Sequence, residues 1–203
     1  MTKHRDFDAV AATWDEEPRR VTLAGEIAEA IRASVPLTGE WDAMDFGCGT
    51  GLVTLQLAPH LRSIVGADSS RGMLDRLEAK LPALGLHNVR TTTAELFFKE
   101  ASADRFHLIT SAMTLHHVAD NVALLSSLRT RLHPGGYVAL ADLATEDGSF
   151  HEDPTGIFHH GFSPEQLTEM LTASGFSSVS VRRITQVVKG ERHFPVLLAT
   201  AVA

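Results

Sequence analysis

The residues best suited to chemistry stand in the run Met44-Asp45-Phe46-Gly47-Cys48-Gly49-Thr50-Gly51, where glycines alternate behind a carboxylate. Alternate glycines let the backbone turn sharply and let a ligand approach without meeting a Cβ atom. A helix opening just after such a turn offers unpaired N–H groups to an anion or carboxylate. Asp45, two residues ahead of the first glycine, can take a cationic amine. Asp68 stands seventeen residues beyond Gly51, and a carboxylate at that place can accept hydrogen bonds from two ribose hydroxyls. His116 and His117 form a second group of ionisable side chains. His151, Glu152, Asp153, His159 and His160 form a third.

Two familiar glycine loops do not fit. The dinucleotide pattern G-x-G-x-x-G wants glycine where Leu52 stands, and here the third glycine comes one residue early, at Gly51. A phosphate-binding loop needs Gly-Lys-Ser/Thr, which is absent, and has no use for a carboxylate at Asp45. The donor set asks for a ribose, a cationic amine and a carboxylate, with no sign of a pyrophosphate. S-adenosylmethionine carries those three groups.

The elements that must position these residues alternate strand and helix. Residues 41–47, 63–68, 88–93, 106–111 and 137–143 read as strands. Residues 51–61 read as a helix. Met73, Leu74, Leu77, Leu81 and Leu84 share a helical face that Gly85 closes. Val122, Leu125, Leu128 and Leu132 form the inner stripe of another helix, stopped by Pro134-Gly135-Gly136. Such alternation predicts a doubly wound α/β domain, a mostly parallel sheet between two helical layers. Residues 144–162 are polar and aperiodic, as in a lid-like insertion. A helix then opens with Ser163 as N-cap, Pro164 at its first position, Gln166 closing a capping box and Phe162 stapling to Leu167. Gly175 ends it. Strands near 178–188 and 194–202, joined through Lys189-Gly190-Glu191, should pair antiparallel, with Pro195 tolerated as a strand opener. Ahead of the first strand, Val21, Ala24, Ile27, Ala28, Ile31 and Val35 make a helical stripe that should pack on the sheet. Residues 6–17 have less reason to enter the core. One domain, 1–203, is expected, with 1–35 as a helical cap.

With these elements in place, the run 45–51 resembles the first motif of class I S-adenosylmethionine-dependent methyltransferases. Asp68 matches their ribose-binding acid in position. Thr93-Ala94-Glu95-Leu96 is similar to the stretch lining the adenine, 106–118 to the fourth-strand motif, and Leu132-His133-Pro134-Gly135-Gly136 to the turn before the fifth strand. The resemblance spans about residues 40–143. It implies a seven-stranded sheet with an antiparallel last strand. It also implies S-adenosylmethionine as cofactor, with S-adenosylhomocysteine as product. The cofactor-binding set it suggests is Asp45, Gly47, Cys48, Gly49, Gly51, Asp68, Ser69, Met73, Ala94, Glu95, Ser111 and Trp14. Many relatives carry Asp where Thr93 stands, so the adenine amino group would fall to Glu95 or to backbone around Ala94.

Several residues have plainer readings beside the functional ones. Cys48 suits a nucleophile, but a small residue inside the glycine loop explains it more simply. Trp14 could cover the bound cofactor or anchor the N-terminal segment. Arg19 and Arg20 could meet an acidic substrate or be solvated. His116, His117 or His160 could serve as a general base. The third histidine group matches no strong metal-ligand spacing, and no metal is expected.

Composition bounds the rest. The 203 residues are 44% hydrophobic and 21% charged, as in one globular domain. Eighteen basic against 25 acidic residues give a net charge of −7 with no basic run, which argues against nucleic acid. Arg182 and Arg183 are adjacent but isolated. A single cysteine excludes an internal disulfide. Residues 1–8 are unlike a signal peptide, and no apolar run approaches the roughly 20 residues that span a bilayer. A cytoplasmic protein without a membrane partner is expected. No exposed apolar stripe assigns an oligomeric state.

The expected reaction is in-line methyl transfer to a small molecule whose nucleophile is O, N, S or C. The acceptor pocket should form from residues 6–20, 112–118 and 144–162, outside the carboxyl ends of the strands. The alternatives are a cofactor-binding module without turnover and, behind it, a nicotinamide-dependent oxidoreductase.

Overall fold

The fold was obtained as a computed structural model, which describes residues 6–99 and 105–203. Residues 1–5 of the expected cap lie outside the described residues.

Among the described residues seven strands form one sheet: β1 (Asp42–Phe46), β2 (Ser63–Asp68), β3 (Val89–Thr93), β4 (Phe106–Ala112), β5 (Leu132–Leu143), β6 (Ser177–Lys189) and β7 (Arg192–Val202). Their order is β3-β2-β1-β4-β5-β7-β6. β1 pairs in parallel with β2 and β4, β2 with β3, and β4 with β5. β7 runs antiparallel between β5 and β6. The central strands are buried along nearly their whole length, as strands covered on both faces must be.

The helices are α1 (Pro18–Ser34), α2 (Thr54–Leu57), α3 (Arg71–Leu84), α4 (Ala94–Lys99), α5 (Asn121–Arg129) and α6 (Pro164–Ala173). Ala24, Ile27 and Ile31 of α1, Leu57 of α2 and Leu74 and Leu77 of α3 share a core with Ala43, Ile64, Leu108 and Leu198. Phe97 of α4, Leu125 and Leu128 of α5 and Leu167 and Leu171 of α6 share the opposite core with Met44, Val65, Ile109 and Leu140. The alternation of strand residues between these two cores makes the sheet the middle of three layers.

Local signals set the boundaries, with some departures from sequence expectation. Helix 51–61 is shorter than expected: α2 covers one turn and continues as a 3-10 turn, Ala58–His60. Pro59, which brings no N–H, stands in that turn. α5 stops at Arg129, and Leu132 starts β5 by pairing with Phe106. His133-Pro134-Gly135-Gly136 therefore bulges within β5 instead of ending a helix, because the register passes from Phe106↔Leu132 to Leu108↔Tyr137. Val21, Leu84 and Val122, expected on inner stripes, are exposed. Pro195 is the fourth residue of β7, not its opening. Its carbonyl accepts from the Ala144 N–H, so its N–H-less nitrogen points to the same side, just past the end of β5. α6 carries the full capping box of Ser163 and Gln166.

Candidate functional site

The carboxyl ends of β1, β2, β4 and β5 bring the chemistry together. β1 ends in the glycine loop. Gly47, Gly49 and Gly51 all have positive φ. A Cβ on Gly47 would stand 2.3 Å from Thr114 Oγ1, and one on Gly51 would stand 2.3 Å from Leu77 Cδ1. Those two glycines let the loop after β4 and helix α3 pack against the turn. At Gly49 a Cβ would meet nothing within 4 Å, so there the backbone faces open space.

Asp45 lies beneath this loop, 1% exposed. Thr54 Oγ1, at the start of α2, donates to Asp45 Oδ2 at 2.5 Å. Asp45 Oδ1 is buried without a hydrogen-bond partner. Burial pushes this carboxyl up to about 7, and the neighbouring Asp68 charge adds to the rise. Asp68 sits at the end of β2. Its Oδ2 accepts the Gly49 N–H at 2.8 Å and its Oδ1 the Ser70 N–H at 2.9 Å. Burial raises its pKa against those hydrogen bonds, which lower it. Ser70, not Asp68, caps α3 by accepting from Met73 N. The acid is thus tied to the glycine loop with acceptor capacity left on both oxygens.

The remaining residues singled out in the sequence fall as follows. Cys48 is buried, with its sulfur packed where a Cβ on Gly66 would come within 2.9 Å. Burial pushes its thiol well above the ordinary range, the opposite of what a nucleophile needs. Ser69 is exposed and Met73 is buried. Ser111 is buried and donates to the Phe46 carbonyl at 2.8 Å, which ties β4 to the end of β1. Ala94 opens α4, and Thr93 Oγ1 accepts the Leu96 N–H as its cap. Glu95 is turned to solvent and paired with Lys99. The Glu95 carboxylate, one of the two groups the sequence offers for the adenine amino group, is thus engaged with Lys99 at the surface.

The N-terminal segment meets the same loops. Residues Asp8–Glu16 form a 3-10 helix in which Ala11 is buried. Asp8 Oδ1 accepts from Ser70 Oγ at 2.6 Å and Gly72 N at 2.7 Å. Those hydrogen bonds lower its pKa. Asp15 accepts from Thr50 Oγ1 at 2.5 Å and Lys80 Nζ at 2.7 Å. Sequence reasoning missed Asp8 and Thr50, because their partners lie far along the chain. The Arg20 guanidinium stacks 3.8 Å over the Trp14 ring, and Arg19 pairs with Glu17.

The loops after β4 and β5 carry the histidines. The chain leaves β4 through Met113, whose φ of 55° is unusual for a residue with a side chain. His116 is 2% exposed, and its Nδ1 lies 2.7 Å from Asp142 Oδ1 at the end of β5. His117 Nδ1 donates to the Gly156 carbonyl at 2.9 Å. His151 joins them, its ring centroid 4.9 Å from that of His116. His160 does not join them: it is 56% exposed and pairs with Glu146 at 3.4 Å. His159 Nε2 donates to Val118 O at 2.9 Å, and the His116 carbonyl accepts from Phe158 N. Segment 144–162 is thereby fastened over the histidines. Among the described residues no three His, Cys, Asp or Glu gather as a metal site. Asp142 was missed in sequence, since a carboxylate inside an apolar strand is a signal only once its partner is known.

This arrangement can hold a cationic amine at Asp45, a diol at Asp68 and an ionisable acceptor at the histidines. The sequence profile of a methyltransferase domain matches residues 12–181. A ubiquinone biosynthesis O-methyltransferase of Cereibacter sphaeroides is 32% identical over 162 residues, covering 71% of this chain and 64% of that protein. An uncharacterized methyltransferase of Schizosaccharomyces pombe is 28% identical over 153 residues, covering 68% of this chain and 54% of its own. The chain thus spans about half to two thirds of those relatives. The solved complex of DhpI with SAH aligns at a TM-score of 0.71 and 26% identity, covering 95% of this chain and 92% of DhpI. The methyltransferase bound to the Trm112 activator of Haloferax volcanii aligns at 0.80 and 20% identity over 98% of both chains, a likeness of fold. The chain belongs to the methyltransferase-domain family and is a class I, S-adenosylmethionine-dependent methyltransferase.

Proposed function

We propose that this enzyme methylates a small molecule held between the glycine-loop crevice, the loops after β4 and β5, and the N-terminal segment. The observation that carries the cofactor side is Asp45 Oδ1, buried without a partner beside a loop whose Gly49 faces open space. A buried acceptor oxygen calls for a donor, and an amine supplies one. In this reading Asp45 orients the amine end, the glycine loop admits the methionine carboxylate, and Asp68 holds the ribose. Ala94 and its neighbours flank the adenine, and Trp14 closes the crevice from the N-terminal side. When bound, S-adenosylmethionine supplies a sulfonium-bound methyl group and takes back the electron pair of the breaking C–S bond.

The chain's own part is to align the acceptor, exclude water and accept a proton. Alignment in a bound pair can supply effective molarities of about 10⁵–10⁸ M. His116 or His117 is the base, each ring held by an acceptor on Nδ1. His160 is set aside because it faces solvent with Glu146. The net charge of −7 and the lack of a basic run favour a small molecule over nucleic acid. Several curated relatives are named O-methyltransferases, which brings oxygen nucleophiles to the front. Among the described residues no helix is long and apolar enough to cross a membrane.

The test is transfer of a labelled methyl group from S-adenosylmethionine into a fractionated metabolite extract, with nucleic acid and protein fractions as controls. Label in the low-molecular-weight fraction is expected. Label confined to the macromolecular fractions would overturn the small-molecule reading.

A further inference from the structure

The carboxylate of Asp142 has three N–H groups aimed at it. His116 Nδ1 lies 2.7 Å from Oδ1, the Leu143 N–H donates to the same oxygen at 2.7 Å, and the His116 N–H reaches Oδ2 at 3.3 Å. His116 and Asp142 are 2% and 1% exposed. An ionised carboxylate only accepts, so Nδ1 must carry its proton and the neutral ring must present its lone pair at Nε2. One carboxylate thus fixes both the tautomer of His116 and the path of its backbone.

Stability is a poor reason for this pair. A buried ion pair is commonly matched or bettered by apolar residues of the same volume. Here it stands in a core of Leu115, Leu140, Phe162 and Leu197. Nor is it isolated. The His116 ring centroid lies 4.2 Å from that of His117 and 4.9 Å from that of His151, both only partly buried. Three packed imidazoles lead from the buried carboxylate toward the surface, bordered by aromatic faces. Phe7 meets His117 edge-on at 5.2 Å, and Phe150 meets His151 at 4.8 Å.

We infer that Asp142 is the positioning residue of a His116–Asp142 base pair, and that the acceptor is a neutral phenolic hydroxyl. The inference rests on the methyl-transfer reading above and names its acceptor class. The hydroxyl proton passes to His116 Nε2, the O–H electron pair stays on oxygen for the new bond to carbon, and Asp142 balances the imidazolium charge. The proton is then released from His116 to water as the methylated product leaves. An amine or a thiol also arrives largely protonated near neutral pH and would use the same base, so the choice among acceptors rests on the borders of the site. The aromatic borders suit a flat ring.

Two measurements test this on the whole chain. In ¹⁵N-histidine spectra of the cofactor-free protein, His116 is expected as the Nδ1–H tautomer, and Asp142→Asn should shift its tautomer balance. In the second, catechol, 4-nitrophenol, 2-mercaptoethanol and benzylamine are offered with labelled S-adenosylmethionine. Catechol methylation is expected to exceed transfer to the thiol and the amine. Asp142→Asn and His116→Gln should lower kcat for catechol by about 10²–10⁴ with S-adenosylmethionine affinity kept. 4-Nitrophenol, largely ionised at the assay pH, should lose much less. Transfer to the thiol or amine in preference to phenols, no transfer to any probe, an Nε2–H tautomer, or equal losses for catechol and 4-nitrophenol would overturn the inference. Failure of the wild type to bind S-adenosylmethionine would instead overturn the underlying reading.

Discussion

The two halves of the crevice are built differently. On the cofactor side, the two acids at the strand ends find partners close along the chain: Thr54 meets Asp45 nine residues away, and Gly49 meets Asp68 nineteen away. On the acceptor side, His116 meets Asp142 26 residues away, His117 meets Gly156 39 away, and His159 meets Val118 41 away. A site closed locally depends on backbone turns and one acid at each strand end. A site closed by distant segments exists only once the whole sheet has assembled, and its specificity can change with one loop. The two halves should therefore fail separately.

The largest effect should come from the acceptor side. His116→Gln is expected to reduce turnover by about 10²–10⁴. Binding of S-adenosylhomocysteine, followed by equilibrium dialysis, should stay within about threefold, because the hydrogen bonds of His116 run to Asp142, Phe158 and His159. A parallel loss of binding would erase the distinction between the halves.

Asp68→Ala should do the converse. It removes the acceptor for two backbone N–H groups and, in the proposed reading, for the ribose, and hydrogen bonds to a charged group contribute about 1.5–3 kcal/mol each. A loss of roughly 100-fold or more in S-adenosylhomocysteine affinity follows. Asp68→Asn should recover part of it. Unchanged affinity in both variants would remove Asp68 from the site.

Asp45 makes the cofactor side sensitive to pH. Its carboxyl is raised to about 7, so near that pH it is partly protonated in the free enzyme. A bound cationic amine favours the carboxylate, so binding should release protons below about pH 7, and affinity should fall as pH drops, by up to about tenfold per unit. Calorimetry in buffers of different ionisation enthalpy reads the proton count directly. Asp45→Asn should abolish the release, and a wild type that releases none would contradict the assignment.

The smallest effects should fall on the N-terminal segment. Asp8→Ala removes a part-buried hydrogen bond from Ser70 and an exposed one from Gly72 and should cost cofactor affinity less than about fivefold. Faster hydrogen exchange over residues 8–16, with little change elsewhere, would show the segment loosening on its own.

The same contrast explains what could be read from the sequence. The sheet, its strand ends and the antiparallel closing strand were legible, because apolar runs between glycine and proline breaks repeat with one period. That Gly47, Gly49 and Gly51 turn the chain, and that Asp45 and Asp68 stand at strand ends beside that turn, was legible because backbone conformation and charge at fixed spacing encode it. The helix end near Leu132 was misread, since an apolar residue continuing a helical stripe looks the same when it begins a buried strand. Asp142 and Asp8 were illegible for a related reason: each looks like an ordinary acid until folding brings it to His116 or Ser70. His160 resembled His116 and His117 in type but folds outward with Glu146.

One titration bears most directly on the crevice as a whole. Isothermal calorimetry should be run with S-adenosylmethionine, S-adenosylhomocysteine and NAD on the wild-type chain. Both methyl-cycle ligands are expected to bind, with no heat from NAD. Binding of NAD alone, or of none of the three, would contradict the reading of the glycine loop and of the two acids beside it.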